Sequence, residues 1–128
     1  MKTTVTTIKT IGQTLADLQE AVKANQFGVI NILDLQAKLK EKGVALPFGC
    51  YVVDVCNPHK ANAVLAQDPS ISAALPCRIS VYEKEGKTCL TTINPTAILS
   101  GLTDAVGVDL IAAEVEQTLL RIIETAAK

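Results

Sequence analysis

From residue 108 onward the chain places Val108, Ile111, Ala112, Val115, Leu119, Ile122 and Ile123 at helical spacing. By the 3.6-residue period these side chains cover roughly 120° of one helix face. Such a helix is held in place mainly by burying its stripe against another element, so its covering partner defines the fold. Leu110 and Leu120 fall off the stripe, among Glu114, Gln117 and Arg121. Single surface leucines are ordinary, and these two also suit a contact between copies of the chain.

The partner is predicted upstream, as a sheet. Residues 3–9 are rich in Thr and Val and read as a strand. Ile11, Leu15, Leu18 and Val22 then share one helical face. Phe27 to Ile32 is a short β-branched run, hence a second strand. Asp34 is a suitable N-cap for a short helix holding Leu35 and Leu39, and Gly43 suits its left-handed C-terminal position. Tyr51 to Val55 forms a third strand. Cys50, Val52, Asp54 and Cys56 point to one face of it, and Tyr51, Val53 and Val55 to the other.

Asn57 is an N-cap and Pro58 fits the first position of the helix carrying Ala61, Val64 and Leu65. Asp68-Pro69 ends that helix. Cys77–Tyr82 and Thr88–Ile93 form the clearest hairpin, turning at Glu85-Gly86. This register sets Val81 opposite Leu90 and Tyr82 opposite Cys89, with Cys89 on the less buried face. Pro95 opens a further turn or short helix. The order mixes strands and helices without strict βαβ alternation. It predicts an α+β fold: an antiparallel sheet of about five strands, helices mainly on one face and a long C-terminal helix.

At 128 residues the chain reads as a single domain, 1–128. Its formal net charge of −1 gives no electrostatic footprint for nucleic acid, and two Phe, two Tyr and no Trp make a poor base-stacking platform. The N-terminal residues lack an apolar segment of signal-peptide length, and no window is long and apolar enough for a membrane span. The expectation is a cytoplasmic chain. There its four cysteines are free, catalytic or metal-binding more often than a disulfide frame.

Several short blocks together resemble one known family. They are Phe27-Gly28-Val29, Lys42-Gly43-Val44, Cys56-Asn57-Pro58 followed by Ala61 and Leu65, Leu75-Pro76-Cys77, Val81-Tyr82 and Pro95. This set is similar to the family catalogued as domain of unknown function 302, over residues 3 to 126. The resemblance implies a curved antiparallel sheet of the TATA-binding-protein-like kind with helices on one side, and a homodimer. It implies no enzymatic activity, and kinship of fold to a DNA-binding protein is no argument for binding DNA.

The candidate site is Cys56, Asn57, His59 and Cys77. Cys50 and Cys56 lie about 20 Å apart if their strand is extended, against the ~7 Å limit for a disulfide. Cys56 and Cys77 differ in this respect. If the third strand and the first hairpin strand are antiparallel neighbours, the intervening helix is an excursion and the two thiols meet at one end of the sheet. A thiol ahead of a helix N-terminus meets unpaired N–H groups and the positive dipole end, which favour thiolate. His59, in the first turn, could reach the same pocket.

The arrangement suits a reactive thiol pair, a pocket for a small molecule or anion, or a soft metal held by Cys56, His59 and Cys77. Three ligands fall short of a closed structural zinc site. The ordinary role of such cysteines, packing as small hydrophobes where strands meet a helix, weighs more than any of these. Asp54 has no second carboxylate placed with it for acid–base work, and Arg78 is turned away from Cys77 by strand alternation. No phosphate loop, nucleophile elbow or metalloprotease helix is present. The expected function is a homodimeric binding or interaction module with no catalytic residues. The alternative is a thiol-based redox, metal- or anion-binding protein.

Overall fold

The computed structural model describes residues 1–128. Five strands form one antiparallel sheet: β1 (Lys2–Thr7), β2 (Gly28–Asp34), β3 (Cys50–Cys56), β4 (Cys77–Lys84) and β5 (Lys87–Ile93), in the order β1-β5-β4-β3-β2. The helices are α1 (Ile11–Ala24), α2 (Leu35–Glu41), α3 (Pro58–Gln67), α4 (Pro95–Leu99) and α5 (Val108–Ala127). A 3-10 segment, Pro69–Ala74, follows α3. The expected α+β class, the antiparallel sheet and the long C-terminal helix are all present.

Side-chain alternation sorts the sheet into two unlike faces. Val53, Val55, Ile79, Val81 and Leu90 are fully buried on one face, under α1 and α5. Leu18, Ala21 and Val22 of α1 meet Leu119, Ile122, Ile123 and Ala126 of α5 over this row. Each helix therefore buries the stripe its sequence carries. On the opposite face Cys50, Val52, Asp54, Arg78, Ser80, Tyr82 and Thr91 all keep contact with solvent. Hydroxyls link three strands there: Tyr82 Oη lies 3.0 Å from Thr91 Oγ1, which lies 2.8 Å from Thr4 Oγ1.

Local signals set the element ends. Thr10, Asp34 and Asn57 each cap a helix, accepting from the backbone N–H of Gln13, of Ala37 and of both His59 and Lys60. Gly43 takes φ +79°. The Gly43 N–H donates to Lys40 O and the Val44 N–H to Leu39 O, a Schellman closure of α2. In the β4–β5 turn Glu85 and Gly86 both have positive φ, at 53° and 77°, the primed geometry that matches strand twist. The register follows, with Val81 opposite Leu90 and Tyr82 opposite Cys89.

Three expectations are corrected. The first strand ends at Thr7, and Thr88 Oγ1 donates to the Lys9 carbonyl just beyond it. Cys89 is buried, only 6% exposed, because Thr6 on β1 and Tyr82 on β4 flank it across the sheet. Leu120 is partly buried against the main core, whereas Leu110 stays 66% exposed.

A smaller core lies beyond the end of the sheet. Val64 of α3, Ile71 of the 3-10 segment, Leu99 of α4 and Val108 and Ala112 of α5 form it. The Lys60–Glu114 ion pair ties α3 to α5 beside it. The α5 helix thus serves two clusters, its N-terminal half the small one and its C-terminal half the main one.

Leu90 sits between Val5 and Val81 at the middle of the main core, with no exposed surface. Leu90→Ala is expected to lower unfolding free energy by about 2–5 kcal/mol. Leu110→Ala is expected to change it by less than about 0.5 kcal/mol. Urea unfolding of both variants checks this; a small effect at Leu90 would contradict the placement of the core.

Candidate functional site

The site forms because β3 and β4 are antiparallel neighbours joined by an excursion. Val55 pairs with Cys77, so the end of β3 lies beside the start of β4. Between them the chain leaves the sheet as α3, turns at Asp68-Pro69 into the 3-10 segment and returns through Leu75-Pro76. Cys56, the last residue of β3, and Cys77, the first of β4, line one slot of ≈ 40 Å³ between the two cores. Phe27, Val64, Leu75, Pro95 and Val115 are among the residues that supply the rest of the wall. The structure thus brings the two thiols to one corner, as the chain order suggested.

Their electrostatics run against the expected thiolate. Burial pushes the Cys56 thiol above its ordinary value. Burial, followed by the nearby Cys56 charge, pushes Cys77 up to about 11. The helix start offers no counterweight to that burial. Asn57 Oδ1 accepts from the His59 N–H at 3.0 Å and from the Lys60 N–H at 3.1 Å, so the amides expected to favour a thiolate are occupied. With those donors taken, desolvation dominates. Both sulfurs are free thiols, half-buried, and protonated at neutral pH.

The other predicted residues separate. Asn57 is the cap and nothing more is asked of it. His59 is exposed on the outer side of the first turn of α3. No three His, Cys, Asp or Glu side chains gather closely enough to share an ion, so Cys56, His59 and Cys77 do not converge as a ligand set. Cys50 lies at the far end of β3, where burial and the Asp34 charge raise its pKa as well.

Next to the slot is a larger feature that the sequence did not announce. A groove of ≈ 320 Å³ runs between the 3-10 segment and α4, lined by Leu75, Pro76, Pro95, Ile98 and Leu99 among others. Leu75, Cys77, Pro95 and Leu99 belong to both groove and slot, so Cys77 stands in the wall between them. The groove continues round the end of the sheet to Ile93 and Arg78. Alternation does turn Arg78 to the opposite face from Cys77, where its Nε donates to Asp54 Oδ1 at 3.2 Å. Because the groove wraps the sheet's end, it nonetheless reaches both. The available sequence signals were the prolines at 69, 76 and 95, which bend the chain out of regular structure on both sides of the groove.

Comparison with known proteins places the chain. A solved structure, the crystal structure of an uncharacterized conserved protein DUF302 from Bacillus stearothermophilus, superposes with a TM-score of 0.91 at 30% identity. The match covers 98% of this chain and 97% of that one. A search of curated proteins gives no match. The family model described as domain of unknown function DUF302 matches residues 1–126, and the chain belongs to that family.

Proposed function

We propose that this domain is a non-catalytic, homodimeric binding module that takes an apolar ligand into the groove beside β4. The groove itself carries the reading: a concave, mostly apolar hollow of ≈ 320 Å³ with one charged side chain on its lining. Ligand sites are commonly of this kind, hydrocarbon walls with a few placed polar groups. No pair of acid and base, and no activated nucleophile, accompanies it. The adjoining thiols are held protonated, which suits packing and contact better than attack.

The surface that suits a second copy is the free edge of the sheet at β2. The edge strand β2 pairs only with β3, and its Val29, Ile30 and Ile32 are 36%, 60% and 38% exposed. The pairing register shifts between Val29 and Asn31, leaving Ile30 unpaired at a bulge. A bulge disfavours extending the sheet into a neighbour. Side-chain packing around Ile30 is therefore the mode that fits. The opposite edge, β1, offers mainly threonines.

A thiol-based reading has one observation in its favour, the shared slot of Cys56 and Cys77. Their raised pKa values weigh against a fast nucleophile at neutral pH.

Three outcomes test these readings. In a panel of apolar small molecules, a ligand at a hundred times its Kd is expected to stabilise the protein by ~2.7 kcal/mol, visible as a rise in Tm. Filling the groove with Ala73→Phe is expected to remove that rise; no shift from any member would contradict the binding reading. Ile30→Lys is expected to convert a dimer of twice 13.6 kDa to monomer in sedimentation equilibrium. A monomeric parent protein would contradict the dimer.

The third concerns Cys77. The folded state keeps its proton to about pH 11, while the unfolded chain releases it near the ordinary thiol value of 9.0. Below pH 9 its contribution to stability is fully present. As pH rises toward 11 that contribution, up to about 2–3 kcal/mol, is lost. Urea titrations across this window are expected to show a shallower fall for Cys77→Ala. An identical fall would contradict the burial argument.

A further inference from the structure

The groove's single charged residue specifies more than an apolar ligand. The Arg78 side chain is 69% exposed, and its one hydrogen bond leaves from Nε toward Asp54. Its two terminal nitrogens make none. A guanidinium presents its donors as a planar fork that matches a carboxylate bidentately. Asp54 uses the Nε donor; the terminal nitrogens remain available beside the groove.

The surrounding charge favours the same kind of occupant. At this end of the sheet Lys2 pairs with Ile93 and Arg78 with Asp54. The β4–β5 register, one step beyond Ile79 with Thr92, sets Ile93 opposite Arg78. The row across the open face of the strands thus reads Lys2, Ile93, Arg78 and the half-buried Asp54. Two cations stand against one carboxylate, and no acidic residue lines the groove. Arg78 is the one cation on the groove's lining, and Lys2 stands along the same row two strands away. Asp54 beside Arg78 weighs against a dianion, and the two free terminal nitrogens of Arg78 match one carboxylate.

Resting on the binding reading above, we infer that the groove is a site for a small monocarboxylate with an apolar tail. Arg78 holds the carboxylate through its terminal nitrogens. The tail passes over the exposed Ile93 and lies between Pro76 and Ile98. A volume of ≈ 320 Å³ is at the lower end of small-molecule sites, which suits a tail of medium length over a long-chain lipid.

Octanoate is the probe, octanol its uncharged counterpart, and titration calorimetry the readout. Octanoate is expected to bind the parent protein at least about tenfold more tightly than octanol, the scale of a charge-assisted hydrogen bond. Arg78→Gln, on the exposed face, is expected to weaken octanoate by about tenfold and leave octanol unchanged. Ala73→Phe is expected to abolish octanoate binding. Equal affinities for the two probes, or an unaffected Arg78→Gln, would overturn the carboxylate inference while the groove remained a ligand site. Octanoate binding that survives Ala73→Phe would put the probe elsewhere and overturn the inference. Binding of neither probe would overturn both the inference and the reading beneath it.

Discussion

Everything in this fold depends on one row of apolar side chains pressed between a sheet and two helices. Val53, Val55, Ile79, Val81 and Leu90 have no exposed surface, and α1 and α5 close over them. The row spans the three central strands, so losing it would unfix register as well as stability: a one-residue slip would turn each of these side chains to the wet face. The opposite face can bear solvent because its side chains satisfy one another. Tyr82, Thr91 and Thr4 share hydroxyl contacts, and Asp54 meets Arg78. No buried side-chain nitrogen or oxygen lacks a partner. Hydrophobic burial on one side and hydroxyl pairing on the other let a single-layer sheet stand with helices on one face.

The elements written by local rules were legible from the residues alone. The α5 stripe, the caps at Asp34 and Asn57, the Gly43 closure and the Val81–Leu90 register each follow from a short pattern acting on its own neighbours. What the sequence obscured depends on several elements at once. Cys89 alternates to the solvent face and is buried even so, because its flanking strands bring Thr6 and Tyr82 beside it. Leu120 lies outside the helical stripe and still meets the core, because α5 is covered more widely than its stripe alone would require.

The candidate site shows the same division. Proximity of Cys56 and Cys77 follows from topology: an excursion between antiparallel neighbours returns the chain to its starting corner. Their chemistry does not follow from topology. A helix N-terminus favours an anion only while its amides are unpartnered, and here Asn57 serves two of them at once. The residue that announces the helix in the sequence is the one that takes up its first free amides. A cap and a thiolate-stabilising amide cannot be the same N–H group, and burial then decides the direction.

The excursion also explains why there is a groove at all. A strand-to-strand connection that merely turned would leave the end of the sheet bare. Here α3 and the 3-10 segment build a second core with α4 and α5, five buried residues against thirteen in the first. Two cores of unequal size, joined through one helix, do not meet flush. The slot beside Cys56 and the wider groove beside Arg78 are where their surfaces part. The prolines at 76 and 95 frame that gap on either side, and rings with fixed φ hold its walls without supplying N–H donors to fill it. Hydrocarbon walls, a thiol kept protonated by burial and one guanidinium at the mouth line that gap.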